Sequence, residues 1–125
     1  MDLGGGFKAV NNLTYRVRGG LVLQGDLYLP PPRSDGRKPG VLVVVHGGGW
    51  QDCNRRRSAT AWYAAAMSRL LRVATFNIEY RLRQEGGAYP ENLKDVKCAV
   101  QWIAAHGGEQ GIDGSRMAIA GESAG

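Results

Sequence analysis

The sequence lacks the features that would place it outside the water-soluble globular proteins. It has two cysteines among 125 residues, too few for a disulfide framework, so we expect a reducing compartment, the cytoplasm. Its longest apolar run, Val41 to Val45, is far shorter than the roughly 20 residues that span a bilayer. The start, Met1 to Gly6, has no basic segment followed by an apolar one, so neither a signal peptide nor a membrane partner is predicted.

Acidic residues are scarce along one stretch of the chain. The formal net charge is +5, and residues 55 to 83 contain seven arginines but a single acid, Glu79. A nucleic-acid interface would need basic residues on one face with interleaved aromatic residues, or a known motif. The sequence offers neither, so we expect a solvated basic segment and no nucleic-acid partner.

Glycine is abundant, at 19 of 125 residues, and it separates periodic segments. Leu13 to Arg18 and Leu21 to Leu29 alternate apolar and polar residues around Gly19-Gly20, which predicts an antiparallel hairpin. The β-branched run Val41 to Val45 does not alternate, which is typical of a strand buried on both faces of a parallel sheet. Two further strands are predicted over 73–80 and 117–120.

Two helices are predicted between these strands. The first begins at the cap residue Ser58 and runs to about Leu71, and the second starts at Pro90 and ends at Gly107-Gly108. The residues predicted to face the core are Ala59, Trp62, Tyr63, Met67, Leu70 and Leu71 in the first helix, and Leu93, Val96, Ala99, Val100, Trp102 and Ile103 in the second. The element order β-β-β-α-β-α-β predicts one layered α/β domain with right-handed crossovers.

A serine motif follows the last predicted strand. Gly121 to Gly125 reads Gly-Glu-Ser-Ala-Gly. A serine in this pattern directly after a strand lies on a sharp turn, and the flanking glycines avoid collisions with neighbouring backbone. Such a turn would expose the hydroxyl of Ser123 for nucleophilic attack. The pattern alone is also compatible with an ordinary turn.

A glycine motif follows an earlier strand. His46 to Trp50 reads His-Gly-Gly-Gly-Trp, directly after the run Val41 to Val45. The backbone N–H groups of such a loop can point at a carbonyl oxygen as its carbon becomes tetrahedral. Two such motifs at the ends of two strands predict a single site.

Together these motifs resemble those of the α/β-hydrolase superfamily, in its HGGG-type carboxylesterase and lipase branch, close to the hormone-sensitive-lipase-like and feruloyl-esterase-like enzymes. The resemblance covers nearly the whole chain, and it extends to Glu79-Tyr80-Arg81-Leu82, to Tyr89-Pro90 with Asp95 and Trp102, and to Gly111-Ile112-Asp113. It implies an α/β fold in which an antiparallel hairpin leads into a mostly parallel sheet flanked by helices. It also implies a structural ion pair between Arg81 and Asp95.

The resemblance implies a catalytic role for four residues. Ser123 would be the nucleophile. The N–H groups of Gly48, Gly49 and Ala124 would form the oxyanion hole. The reaction would be hydrolysis of small-molecule carboxylic esters through an acyl-enzyme intermediate.

The remaining candidates receive mainly structural interpretations. Gly47 would shape the oxyanion loop, and His46 would hold it by hydrogen bonding to backbone rather than act as a general base. Trp50 would either line a substrate pocket or pack under the loop. Cys53 and Cys98 have no histidine at metal or nucleophile spacing, and no pattern indicates a metal or an organic cofactor.

In the α/β-hydrolase fold the catalytic acid and histidine follow the serine along the chain, whereas the sequence ends two residues after Ser123. We therefore interpret residues 1–125 as the N-terminal part of a single domain, truncated just after the nucleophile turn, and expect it to be inactive and prone to aggregation alone. A peptidase or amidase of the same fold and a truncated non-catalytic remnant are the alternatives. The oligomeric state is left open.

Overall fold

A computed structural model describes all 125 residues. Five strands and two α-helices follow one another in the predicted order: β1 (Lys8–Arg18), β2 (Leu21–Leu29), β3 (Val41–Val45), α1 (Thr60–Leu71), β4 (Ala74–Ile78), α2 (Glu91–His106) and β5 (Met117–Gly121). Short 3₁₀ turns cover Arg83–Glu85 and Gly107–Gln110. The predicted α/β class and the predicted hairpin are confirmed.

The strands form one mixed sheet in the order β1-β2-β4-β3-β5. The ladders β1·β2 and β2·β4 are antiparallel, while β3·β4 and β3·β5 are parallel. Both antiparallel ladders involve β2, so the hairpin leads into a parallel part formed by β3, β4 and β5, as predicted. Val45 pairs with both Ile78 and Gly121, so the carboxyl ends of the three parallel strands share one edge of the sheet.

The two helices cover opposite faces of the sheet. Phe76 of β4 stacks on Trp102 of α2, with the ring centroids 5.8 Å apart. Its neighbour Thr75 points the other way, and its hydroxyl donates to the carbonyl of Ala64 in α1 at 2.8 Å. Because successive strand residues face opposite sides, each residue of β4 is assigned to one helix or the other.

The apolar core lies on the α2 face. It contains Tyr15, Leu23, Leu27, Val41, Val43, Val45, Ala74, Phe76, Ile78, Tyr80, Ala99, Ile103 and Ile112. Trp102, Val96 and Val100 are half-buried against it, so the predicted stripe of α2 is largely confirmed. Leu93 is the exception, because it is exposed beside an open groove. The helix also runs on into a 3₁₀ turn at the predicted stop, Gly107-Gly108.

The predicted buried face of α1 is wrong. Trp62, Leu70 and Leu71 are 75%, 72% and 59% exposed, whereas the buried residues of α1 are Thr60, Ala64 and Ser68. These small side chains repeat every four residues and allow the helix to lie close to the polar side chains of β4. The helix also begins at Thr60 rather than after a Ser58 cap, although the Ser58 hydroxyl accepts the Thr60 N–H at 3.2 Å.

Two arginines of the basic stretch are buried, so the expectation of a solvated segment is wrong for them. The predicted ion pair of Arg81 is present, with Nε 2.9 Å from Oδ2 of the buried Asp95. The hydrogen bond to Asp95 raises the pKa of the Arg81 guanidinium. Arg55 contacts Asp26 at 3.0 Å and Glu79 at 2.6 Å. Both arginines can be buried because carboxylates neutralise them, that of Asp95 on α2 for Arg81 and that of Asp26 on β2 for Arg55.

The outermost strand β5 has no neighbouring strand on one side, and it carries an exposed apolar side chain. β5 pairs only with β3, and its central residue Ile119 is 57% exposed. Neither helix is long and apolar enough to cross a membrane.

Candidate active site

Two loops meet at the carboxyl edge of the parallel strands. Residues 46–50 follow β3, and residues 122–125 follow β5. Because Val45 and Gly121 are partners in the last rung of the β3·β5 ladder, the two loops leave the sheet side by side. The two sequence motifs therefore lie next to each other in the fold.

The serine loop is a tight, strained turn. Ser123 has a left-handed backbone with φ 54°, an uncommon conformation for a residue with a side chain. The N–H of Gly125 donates to the carbonyl of Glu122 at 2.9 Å and closes the turn. A Cβ on Gly125 would lie 2.2 Å from the carbonyl oxygen of Val45, so only glycine fits there. Ser123 itself is exposed, which leaves its hydroxyl accessible.

The glycine loop turns back on itself next to the serine. The carbonyl of Gly48 accepts the N–H of Asp52 at 3.0 Å. Gly48 has φ 123°, and a Cβ there would lie 2.2 Å from the carbonyl oxygen of Asp52. A side chain at this position would open the loop.

Several backbone amides at this edge have no acceptor within the chain, including those of Trp50 and Ser123. The N–H groups of Gly48, Gly49 and Ala124 take part in none of its hydrogen bonds. Backbone N–H groups that have no other acceptor can donate hydrogen bonds to an anionic oxygen bound between the two loops. Gly48, Gly49 and Ala124 are the residues to which the resemblance to α/β hydrolases assigns that role.

His46 is buried under the glycine loop. Its Nδ1 lies 2.6 Å from the carbonyl oxygen of Gly47, so Nδ1 carries the proton and donates it. The ring stacks on Tyr80 at 4.5 Å, and the Tyr80 hydroxyl donates to the His46 carbonyl at 2.8 Å. Burial raises the pKa of Tyr80, which keeps this donor protonated. Since the Gly47 carbonyl and the Gly48 N–H belong to one planar peptide, His46 fixes the direction of that N–H.

Trp50 lies at the surface and is bonded to the serine loop. Its side chain is 52% exposed, and its indole N–H donates to the carbonyl of Ala124 at 2.9 Å. Together with Tyr89, Leu93 and Ile119 it lines an open groove of about 420 Å³. Of the two expectations for Trp50, the structure favours a place on the groove wall over packing under the loop.

Sequence reasoning missed Glu122. Its Oε2 accepts the N–H of Gly47 at 3.1 Å and so joins the two motifs directly. Because the GxSxG pattern leaves this position free, nothing in the motif pointed to it.

Sequence reasoning also missed a contact in the segment between the glycine loop and α1. There the Asn77 amide donates to the carbonyl of Arg55 at 2.7 Å. The partner on β4 lies 22 residues away along the chain, which a local pattern does not reveal.

The two cysteines and the acidic residues do not form a metal site. Cys53 and Cys98 are free thiols, each close to a backbone carbonyl at 3.8 Å. No three His, Cys, Asp or Glu side chains group in a way that could hold a metal ion.

A mixed sheet of this strand order, with a left-handed serine after β5 and a glycine loop after β3, defines an α/β hydrolase. The solved structure of a bacterial heroin esterase superposes with a TM-score of 0.74 at 31% identity, over 97% of this chain and 37% of the esterase. Esterase LipI of Mycobacterium tuberculosis is 32% identical over 101 residues, and carboxylesterase NlhH of the same species is 34% identical over 106 residues. Each alignment covers 79% of this chain.

The BD-FAE family matches residues 25–125, and the chain belongs to this family. The chain spans about a third of the length of these relatives, 30% of LipI and of NlhH and 37% of the heroin esterase.

Proposed function

We propose that the chain contributes the nucleophile and the oxyanion hole of a carboxylesterase that acts on small-molecule esters. The observation that carries this proposal is the exposed, left-handed Ser123 beside backbone amides without acceptors. The names of its relatives, which are esterases and a carboxylesterase, support the same chemistry.

In the first half of the reaction, the hydroxyl oxygen of Ser123 attacks the ester carbonyl carbon. The hydroxyl proton passes to a histidine base that lies outside residues 1–125, and the carbonyl electron pair moves onto oxygen. The N–H groups of Gly48, Gly49 and Ala124 stabilise the resulting oxyanion. When the tetrahedral intermediate collapses, the bond to the alcohol oxygen breaks, and the alcohol leaves with the proton that the base returns.

In the second half, water attacks the acyl-enzyme carbonyl and gives a proton to the same base. The oxyanion forms again in the same hole. Its collapse breaks the bond to the Ser123 oxygen, returns the proton to that oxygen and releases the carboxylic acid. His46 serves this cycle by holding the Gly48 N–H in a fixed direction, since its own Nδ1 proton is committed to the Gly47 carbonyl.

We further propose that residues 1–125 form the N-terminal part of a single α/β-hydrolase domain. The unpaired outer edge of β5 and the greater length of the relatives support this. The acid and the base of the triad would then come from chain beyond β5.

Replacing Ser123 tests the proposal. In the protein at its natural length, Ser123→Ala should lower kcat/KM for a p-nitrophenyl ester by about 10⁴-fold or more, because the acyl-enzyme no longer forms. The exposed loop residue Ser34 provides the control, and Ser34→Ala should leave the rate unchanged. A rate that survives Ser123→Ala refutes the proposal, and a preference for the matching p-nitroanilide over the ester would reassign the protein as an amidase.

A further inference from the structure

We propose that Glu122 and Trp50 are positioning residues that lock the two halves of the oxyanion hole together. This inference rests on the function proposed above. Two of the amides in the hole belong to the loop after β3 and the third belongs to the turn after β5. The hole therefore exists only if these two segments keep a fixed distance from each other.

The sheet alone does not hold the segments at this point. The β3·β5 ladder ends at Val45 and Gly121, and one further backbone hydrogen bond follows, from the Glu122 N–H to the Val45 carbonyl at 3.2 Å. Beyond it, the hydrogen bonds between the two loops are made by side chains.

The first of these bonds runs from the serine loop to the glycine loop. The Glu122 carboxylate accepts the N–H of Gly47 at 3.1 Å, while His46 donates to the carbonyl of the same residue at 2.6 Å. Gly47 is thus held through both of its backbone polar groups. The next amide along the chain is that of Gly48, so the carboxylate acts one residue away from the predicted oxyanion contact.

The second bond runs in the opposite direction. The indole N–H of Trp50 donates to the Ala124 carbonyl at 2.9 Å, and the Trp50 carbonyl accepts the N–H of Arg83 at 2.7 Å. Trp50 also has a left-handed backbone with φ 62°. A bulky residue held in this conformation indicates that the surrounding contacts fix it there. Each loop therefore contributes one side chain that binds the backbone of the other.

This arrangement predicts which property of each side chain matters. For Glu122 it is an acceptor oxygen, which glutamine also has, and the charge itself is not needed. For Trp50 it is the indole N–H, which phenylalanine lacks although it keeps an aromatic ring on the groove wall. Loss of either bond should weaken the binding of an oxyanion more than the binding of a neutral ester.

The test is steady-state kinetics on the protein at its natural length with a p-nitrophenyl ester. Glu122→Ala should lower kcat by about 100-fold, the scale of a misplaced catalytic group, and Trp50→Phe by about 10-fold, the scale of one lost hydrogen bond. KM should stay within about twofold of the parent value, since groove contacts remain. Glu122→Gln should recover at least about tenfold of the loss seen in Glu122→Ala, because it restores the acceptor.

Two further measurements separate positioning from general stability. The inhibition constant of a trifluoromethyl ketone, which forms an oxyanion on the serine, should rise in parallel with the fall in kcat/KM. Hydrogen exchange at the Gly47 amide should accelerate in Glu122→Ala but not in Glu122→Gln. The matched control is Glu109→Ala, which alters an exposed acid away from the site and should leave all of these values unchanged.

The outcomes distinguish this inference from the function on which it rests. If Ser123→Ala leaves the rate intact, the proposed function fails and the inference fails with it. If Ser123→Ala abolishes the rate but Glu122→Ala and Glu122→Gln behave alike, or only KM changes, the inference alone is overturned. If Glu122→Ala does not fold, Trp50→Phe still tests the inference, because loss of the indole N–H should raise the inhibition constant of the ketone.

Discussion

The two faces of the central sheet are built from different chemistry. Toward α2 the sheet presents a continuous apolar core that includes Phe76 and Ile78. Toward α1 the sheet presents Thr75 and Asn77. The residues that α1 buries are small or polar: Thr60, Ala64 and Ser68. One face is stabilised by removal of apolar surface from water, and the other by close approach of small side chains and by the hydrogen bonds that Thr75 and Asn77 donate to backbone carbonyls. Burial alone is therefore a poor guide to what holds each helix.

The largest loss of folding stability should follow a substitution on the apolar face. Phe76→Ala in the protein at its natural length should lower the free energy of unfolding by about 4 kcal/mol, because it leaves a cavity between β4 and α2. Urea unfolding followed by circular dichroism measures this. Phe76→Leu, which keeps much of the volume, should cost about 1.5 kcal/mol or less. Equal losses in the two variants would contradict the cavity explanation.

The polar face should respond to charge and to pH. Asp26 lies opposite Asn77 in the β2·β4 ladder, and burial raises its pKa. Hydrogen bonds from Arg56, the Asn12 amide and Arg55 outweigh that effect and lower the pKa below its ordinary value. Asp26→Asn should therefore cost about 3 kcal/mol at pH 7, since it leaves Arg55 with an incomplete set of partners.

The sign of the pH dependence follows from that lowered pKa. The folded state favours the charged carboxylate, so its contribution is complete above the unfolded pKa of about 3.9 and disappears as the pH falls through the folded value. The stability difference between the parent and Asp26→Asn should thus shrink as the pH is lowered from 5 toward 2. A difference that stays constant over this range would exclude the charge as its cause, and Glu109→Gln serves as an exposed control.

The smallest change in folding stability should follow substitution of Trp62, which the sequence pattern placed in the core. Trp62→Gln on α1 should change the stability by no more than about 0.5 kcal/mol, because the side chain is exposed. Trp102→Gln on α2 is the matched comparison, and it should cost several times more, since that indole stacks on Phe76. If Trp62→Gln proves as damaging as Trp102→Gln, a further part of the protein covers α1 and the two faces are more alike than they look here.

This contrast explains where prediction from sequence succeeded. Apolar periodicity identified Ile103 and Ala99 because α2 packs through apolar groups. It misassigned Leu70 and Leu71 because α1 packs through small and polar side chains at the same spacing. A search for apolar periodicity does not detect such side chains. The burial of Arg55 depends on Asp26, 29 positions earlier in the chain, so no local count of charges could reveal it.

The candidate site divides in the same way. The positions of Ser123 and Gly48 followed from motifs, because the tight turn and the close backbone approach restrict the residue types that fit. Trp50 was predicted as a pocket residue, but its bond to Ala124 and the contact of Glu122 with Gly47 were not, because these contacts cross between two loops that are more than 70 residues apart in sequence. A local sequence pattern can predict a constraint on the backbone, whereas a side-chain contact between distant segments can be identified only once the fold is known.

The left-handed backbone of Ser123 sets two selective pressures against each other at a single position. A residue with a Cβ in this conformation costs roughly 1 kcal/mol relative to glycine, so folding alone would favour glycine there. A directed-evolution library screened only for heat resistance would be expected to drift toward glycine at this codon and to discard the hydroxyl on which the proposed chemistry depends. Any attempt to make this protein more robust should therefore hold codon 123 fixed and seek its gains elsewhere in the sheet.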